Sequence, residues 1–330
     1  MSTGALATHA DVIRAIEPAV EQGLRLLPSV EDAWQATDYL PDLASADWRE
    51  QLDVFRRDAA ALPDDLLVVL VGDMVTEEAL PSYSMALNEL VRDAEGTGQT
   101  PWARWLRGWT AEENRHGDLL NVYLRLSGRV DMRAIERTIQ GLLASGFTAG
   151  TGGDPYGLLV YTAFQERATC LSHARVGRLA ADSGADRLAR MCRVIAGDEA
   201  RHETFYTRMM ARVLDIDPDG GLRAVASMLA RQVTMPGRRM CDGRDLHLFD
   251  HFATVAQRLA VYTSHDYAAI IDHLVDAWRI AERTVAGEAA RVQEQLCSSA
   301  ERYHRLADRL TASIAARPKV AFSWIQGREA

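Results

Sequence analysis

The sequence predicts an all-α protein built round a bundle of long helices, on three observations. Apolar residues recur at steps of three and four over long stretches, strand-type alternation bounded by turn residues is hard to find, and turn signals are few. Those signals are Leu40-Pro41-Asp42, Leu62-Pro63-Asp64-Asp65, the Gly-rich run 146–157, Asp217-Pro218-Asp219-Gly220-Gly221 and Met235-Pro236-Gly237.

Between them lie four long segments. Residues 65–90 open on aspartates expected to cap a helix, and 102–126 carry a Trp/Leu stripe. Residues 158–179 are apolar at their start, and 186–214 are strongly amphipathic. Four such segments suffice for a bundle. No composition shift marks a split, so 1–330 reads as a single domain with a core bundle at about 64–215 and a C-terminal helical region at about 218–330.

Hydrophobic residues make up 48% of the chain and charged residues 25%, a balance that permits a large core and argues against disorder. The longest purely apolar run covers residues 66–71, far short of the roughly 20 residues of a membrane-spanning helix, so no membrane insertion is expected. The first 30 residues resemble neither a secretory signal nor a transit peptide, which makes a cytoplasmic enzyme the expectation. Cys170, Cys192, Cys241 and Cys297 form no CxxC pair and are expected to be reduced, buried thiols. A net charge of −9 argues against nucleic-acid binding.

The informative feature is a repeated unit, Glu112-Glu113-Asn114-Arg115-His116 and Asp198-Glu199-Ala200-Arg201-His202, of the form acid-Glu-x-Arg-His. A Glu and a His three residues apart share one helix face and can reach one metal centre. Spacing alone is weak, because Glu301 and His304 repeat it among arginines on what reads as a solvated face. Phase separates the two cases. Glu113 and His116 continue the stripe Trp102, Trp105, Trp109, Leu120, Tyr123, and Glu199 and His202 continue Leu188, Cys192, Ile195, Tyr206, Met209, Val213.

Two more acids lie in phase. Glu77 falls on the stripe of Leu70, Met74, Leu80 and Leu87, with Pro81 placed to bend the helix beside it. Glu166 lies with Leu159, Ala163, Cys170 and His173. The order is Glu, Glu-x-x-His twice over, with 36 residues from Glu77 to Glu113 and 33 from Glu166 to Glu199. Buried unpaired carboxylates cost several kcal/mol each, so cations or protons must accompany them. Four inward glutamates and two histidines are the ligand set of ferritin-like di-iron and di-manganese bundles. A carboxylate and imidazole set without thiolate suits iron or manganese.

At these residues the chain resembles the soluble acyl-carrier-protein desaturases of the stearoyl type. The likeness rests on 72–81 (GDMVTEEALP), 110–118 (TAEENRHGD), 164–169 (FQERAT) and 198–204 (DEARHET), and it extends from about Val30 to Phe322-Ser323-Trp324-Ile325. The resemblance implies two iron ions per chain, with Glu113 and Glu199 bridging, Glu77 and His116 completing one site, and Glu166 and His202 the other. It implies O2-dependent insertion of a cis double bond into a fatty acyl chain carried by acyl carrier protein, with electrons from ferredoxin and a homodimeric assembly. It also places Asp198 and Trp34 in line with His116 as an electron and proton route. Thr169, one turn from Glu166, is either a hydroxyl for bound oxygen or simply satisfied by its helix. His173 is expected to be a core residue, and His247 and His251 are assigned no metal.

Other readings share the ligand set. A ferroxidase or iron-storage protein would be shorter, and a ribonucleotide-reductase small subunit would be expected to use an Asp ligand beside a radical Tyr. An acyl-carrier-protein hydroxylase or oxidase variant stays open. Arg231, Arg238, Arg239 and Arg244 form the densest basic cluster, either a dock for an acidic carrier or arginines spent in surface salt bridges. Leu158 and Leu159 are expected either to floor an acyl cavity or to face a neighbouring helix, in the first case favouring shorter chains.

Overall fold

The computed structural model describes residues 8–330. Two short helices, α1 (His9–Ala15) and α2 (Glu17–Gly23), lead through an irregular segment carrying Trp34 to α3 (Trp48–Ala60). The central helices follow: α4 (Asp64–Glu77), α5 (Leu80–Val91), α6 (Pro101–Ser127), α7 (Met132–Ser145), α8 (Pro155–Asp182) and α9 (Asp186–Ile216). The remainder comprises α10 (Pro218–Arg231), α11 (Leu248–Arg258), α12 (Ser264–Ala277), α13 (Glu288–Cys297) and α14 (Ser299–Ala315). Among the described residues the one β-type pairing is an isolated bridge between Ala321 and Glu329, so the fold is all-α as expected.

The long helices are delimited by ordinary chemistry. Helix α6 opens with the Thr100 hydroxyl accepting from the Ala103 N–H and Pro101 in the first turn, and it stops at Gly128 with φ +69°. Helix α8 opens on Asp154, whose carboxylate accepts from the Tyr156 N–H, again with proline in the first turn. Helix α4 differs from the expectation. Its N-cap is Pro63 without a side-chain cap, and Asp64 and Asp65 sit in the first turn. Their carboxylates meet Arg328 and Lys319 near the chain's end.

The single helix expected over 65–90 is two helices. Residues 78 and 79 separate them, with Pro81 in the first turn of α5. Proline lacks the N–H that would bond the Glu77 carbonyl, so the chain breaks beside Glu77 where a bend was expected. Conversely, the expected turn at 217–221 hardly exists. Asp217 follows the last residue of α9, and its side chain caps α10 by accepting from the Gly220 N–H.

From Leu66 to Glu77 every residue of α4 but Asp73 is buried, so this helix runs through the middle of the molecule with no solvent face. Helices α6, α8, α7 and α11 pack against it, α9 lies along α8, and α6, α8 and α9 show the expected stripes. One hydrophobic cluster joins Trp105, Leu159 and Tyr206 to Ile271 and Tyr303, and another joins Leu70 and Cys192 to Phe252 and Trp324. The residues after 217 therefore complete the core. The Phe252 ring of α11 lies flat enough on Gly72 of α4 that a Cβ there would come within 2.1 Å of it, a contact only glycine permits. All four cysteines are free thiols. Only Cys192 is fully buried; Cys297 is exposed, contrary to the expectation of buried thiols throughout.

Candidate metal centre

The six acids and histidines singled out in the sequence converge. Glu77 ends α4, Glu113 and His116 lie midway along α6, Glu166 along α8, and Glu199 and His202 along α9; all are buried. Ligand-type atoms of Glu77, Glu113, His116 and Glu199 lie within 4.8 Å of one another, as do those of Glu113, Glu166, Glu199 and His202. Glu113 and Glu199 belong to both groups. Glu199 faces His116 Nδ1 with one oxygen at 3.5 Å and His202 Nδ1 with the other at 3.7 Å. Glu113 does the same, at 3.9 Å from His116 and 2.9 Å from His202.

The atoms that face inward are those left without hydrogen bonds. Both Glu199 oxygens, Glu113 Oε1, His116 Nδ1 and His202 Nδ1 are buried and find no hydrogen-bond partner among the described residues. Buried polar atoms are almost always paired. Five orphans converging from two helices, all of metal-binding types, fit a metal site.

The outward atoms are fully engaged. His116 Nε2 pairs with Asp198 at 3.1 Å, and His202 Nε2 pairs with Glu112 at 2.8 Å. Each repeated unit thus supplies, in the acid before its Glu, the partner for the other unit's histidine. With Nε2 donating, Nδ1 keeps its lone pair for the centre. The repeated arginines serve the same pair of acids: Arg201 reaches Glu112 at 2.7 Å and Asp198 at 2.9 Å, and Arg115 reaches Glu112 at 3.3 Å.

Asp198 also accepts from Trp34 Nε1 at 2.9 Å, and the Trp34 ring lies parallel to that of His116 with centroids 6.1 Å apart. A continuous line therefore runs from the half-buried indole through Asp198 to His116. The Thr169 hydroxyl donates to the carbonyls of Gln165 and Glu166, each at 3.1 Å, while its side chain lines the cavity described below.

Three partners were not foreseen. Glu112 was read only as part of the motif. Trp109 Nε1 donates to Glu166 at 3.0 Å, and His173 Nε2 meets Glu77 at 2.9 Å, so each outer carboxylate is held by a different ring. The repeat itself was the available signal for Glu112, since Asp198 holds His116 in the mirrored position. Elsewhere the sequence reading holds for Glu301 and His304, which pair with Arg305 and Asp272 at the surface. His247 and His251 lie beside acids, Asp250 at 4.0 Å and Asp245 at 2.6 Å.

Electrostatics in the metal-free protein show how heavily the site depends on cations. Burial and the nearby Glu199 charge push Glu113 up to about 7. Burial likewise drives Glu166 well above the usual carboxylate range, with Glu113 adding to it. Glu199 goes the other way, its two facing imidazoles overcoming the burial that would raise it. For His116 burial works downward, yet the Asp198 bond and the surrounding carboxylates lift it to about 10. For His202 burial again works downward, and the Glu112 bond and the facing carboxylates lift it well above its ordinary value, so in the metal-free protein protons on the two rings stand in for metal charge.

Beside the carboxylates lies a cavity with about 520 Å³ of empty space, mouth included. Glu77, Glu113, Glu166 and Glu199 form one wall; Leu158, Tyr161, Phe147, Leu87 and Pro236 form much of the rest. Leu158 lines it and Leu159 does not, although both are buried. A second, largely apolar cleft, with about 1090 Å³ of empty space, open solvent included, is lined by Thr234 and Met235, whose neighbour Pro236 lines the first, and by Phe249, Tyr262, Tyr267 and Leu306, reaching Ala168 and Ser172 of α8. No described helix is long and apolar enough to cross a membrane.

Comparison with known proteins agrees with this geometry. Residues 8–326 match the family described as fatty acid desaturase. The chain is 50% identical over 327 residues to stearoyl-[acyl-carrier-protein] 9-desaturase 1, chloroplastic, of Oryza sativa subsp. indica, covering 97% of this chain and 86% of the relative. It is 51% identical over 323 residues to the seed-specific chloroplastic stearoyl-[acyl-carrier-protein] 9-desaturase of Brassica napus, covering 97% and 81%. Among solved structures, Mycobacterium tuberculosis H37Rv DesA2 shares the fold, with a TM-score of 0.52 at 21% identity over 86% of this chain and 98% of its own. A helical bundle closing two carboxylate and histidine groups over an apolar cavity, matched along nearly its whole length, places this chain in the fatty acid desaturase family.

Proposed function

We propose that the chain is an O2-dependent acyl-[acyl-carrier-protein] desaturase that binds two iron ions and converts a saturated acyl chain to its cis alkene. The observation that carries this is the pair of ligand groups sharing Glu113 and Glu199 and opening into an apolar cavity. Glu77 and His116 would hold one ion and Glu166 and His202 the other, with Glu113 and Glu199, which belong to both groups, available to both. Four carboxylates balance two divalent ions, which leaves the buried centre near neutrality. Bound iron supplies the O2 activation and the hydrogen abstraction that no side chain here can perform.

The overall change removes two hydrogens from adjacent methylenes. With two electrons and two protons from outside, O2 leaves as two waters. The protein's part is placement and exclusion. Asp198 and Glu112 fix the histidine rings, Trp109 and His173 fix the outer carboxylates, and the apolar cavity holds the reacting methylenes away from water. The second cleft is proposed to take the part of the chain nearer the carrier, since Thr234 and Met235 line it and the next residue, Pro236, lines the first. Electrons are proposed to enter from ferredoxin along Trp34, Asp198 and His116. Thr169 is proposed as a hydrogen-bonding hydroxyl at the cavity wall.

We further propose a cytoplasmic homodimer, checked by sedimentation, and a single folding domain. The one-residue junction at Asp217 and the shared core support the latter, and limited proteolysis releasing a stable fragment at 216–218 would refute it. Function is tested by supplying iron-loaded protein with reduced ferredoxin, O2 and acyl carrier protein thioesters of several lengths, then analysing products by mass spectrometry. A cis monoene is expected; hydroxylated product would assign the variant activity, and unchanged substrate would overturn the reading.

A further inference from the structure

The basic cluster expected from sequence is largely spent within the protein. Arg238 pairs with Asp250, Arg231 donates to the Gly150 carbonyl, and Arg239 donates to the Ser145 carbonyl at 3.0 Å. Arg244 is the exception, and the fold brings it beside two arginines that the sequence places more than a hundred residues earlier. Arg133 and Arg137, one turn apart on α7, line with Arg244 a single surface cleft of about 650 Å³ of empty space. All three are exposed, and among the described residues none of their guanidinium groups forms an ion pair or hydrogen bond.

The acids within the cleft explain this. Asp131 Oδ1 is occupied by the Arg133 and Ala134 N–H groups at the start of α7. Asp242 Oδ1 accepts the Arg244 and Asp245 N–H groups, and its other oxygen accepts the Ser323 hydroxyl at 2.6 Å. Both carboxylates are held by backbone N–H and hydroxyl donors and not by guanidinium groups, and two negative charges beside three arginines leave the cleft net positive. Unspent cations grouped in one concavity are unexpected on a chain of net charge −9. Guanidinium is also the side chain best shaped to grip carboxylate and phosphate oxygens in pairs.

We propose that this cleft, between α7 and the loop leading into α11, is where the acidic face of the acyl carrier protein docks. The inference rests on the desaturase reading above and names the surface that reading requires. Position supports it. Pro236 lines the cavity beside the carboxylates, and the same segment continues past Gly237, packed on Thr76, to Arg244. Eight residues at no more than about 3.5 Å each keep Arg244 within about 28 Å of the cavity wall. A carrier gripping Arg244 is therefore held within about 28 Å of the cavity wall at Pro236.

The test measures binding of carrier protein without an acyl group, so that it does not depend on turnover. Wild type, the triple variant R133E/R137E/R244E and the single variant R244A are compared by fluorescence anisotropy at low and moderate salt. The same samples give affinity for ferredoxin, metal content and unfolding temperature. Carrier affinity should fall at least about tenfold in the triple variant and by a smaller factor in R244A, with a flatter salt dependence and ferredoxin affinity unaltered. Unchanged carrier affinity, a loss confined to ferredoxin, or wild type that binds no carrier overturns the docking surface. Binding through these arginines by a wild-type protein that desaturates no carrier thioester would instead refute the desaturase reading and leave the dock standing.

Discussion

Replacing Leu158 with alanine should lengthen the acyl chain this protein prefers. Leu158 is one of the apolar residues lining the cavity beside the carboxylates, and it lies eight residues before Glu166 on the same helix, a rise of about 12 Å. The substitution removes about three methylene-sized groups from a well-packed wall, costing about 2–5 kcal/mol of folding stability if the space stays empty. A longer acyl tail can fill it. At about 0.8 kcal/mol per buried methylene, two more carbons gain about 1.6 kcal/mol, roughly fifteenfold in kcat/KM relative to the shorter chain. Alanine is preferable to glycine because glycine in a helix interior costs about a further 1 kcal/mol. Leu159→Ala is the control: its side chain is as buried but does not line the cavity, so it should lose comparable stability without changing the profile. The assay is competition between acyl carrier protein thioesters two carbons apart, read as product ratio, with metal content checked. An unchanged ratio in Leu158→Ala with metal intact, or the same shift in Leu159→Ala, refutes the assignment of the cavity's end.

Three further outcomes follow from the centre. Glu199→Ala removes a carboxylate common to both ligand groups and should bring iron from about two per chain to one or less, whereas Glu112→Ala removes only the support behind His202 and should weaken metal binding about 10–100-fold; full iron content in the first would refute the proposed shared role of Glu199. Metal loading should release protons and weaken with falling pH, because His116, held near 10 in the metal-free protein, must give up a proton to bind. In stability terms, its raised pKa contributes fully below its ordinary 6.5 and is lost as pH rises through about 10, so the gap in Tm between loaded and metal-free protein should widen over that window; a constant gap would count against it. Trp34→Phe removes the donor to Asp198 and should slow reduction by ferredoxin while leaving metal content unchanged, which stopped-flow reduction measures; an unaltered rate sends the electron elsewhere.

The six metal-type residues were legible in the sequence because helical phase is a local property. A Glu and a His on an apolar stripe must be buried wherever that stripe is buried, and α6 and α9 repeat the pattern with the same unit. The all-α class follows from the same periodicity. Phase carried less weight for Glu77, since α4 is buried on nearly every side and has no polar face to set against its stripe.

Tertiary structure alone decided the rest, because it depends on residues distant in sequence meeting across helices. Glu112 holds His202 across 90 residues and His173 holds Glu77 across 96, contacts for which intrahelical spacing gives no sign. Leu158 and Leu159 are equivalent by composition and adjacent in the chain; a helical turn of about 100° between neighbours puts one on the cavity and the other in the core. The arginines divide on the same principle. Arg238 and Arg239, open in the sequence to a docking role or to surface ion pairing, are engaged within the fold, whereas Arg133 and Arg137 meet Arg244, more than a hundred residues away, in one cleft only in the folded chain.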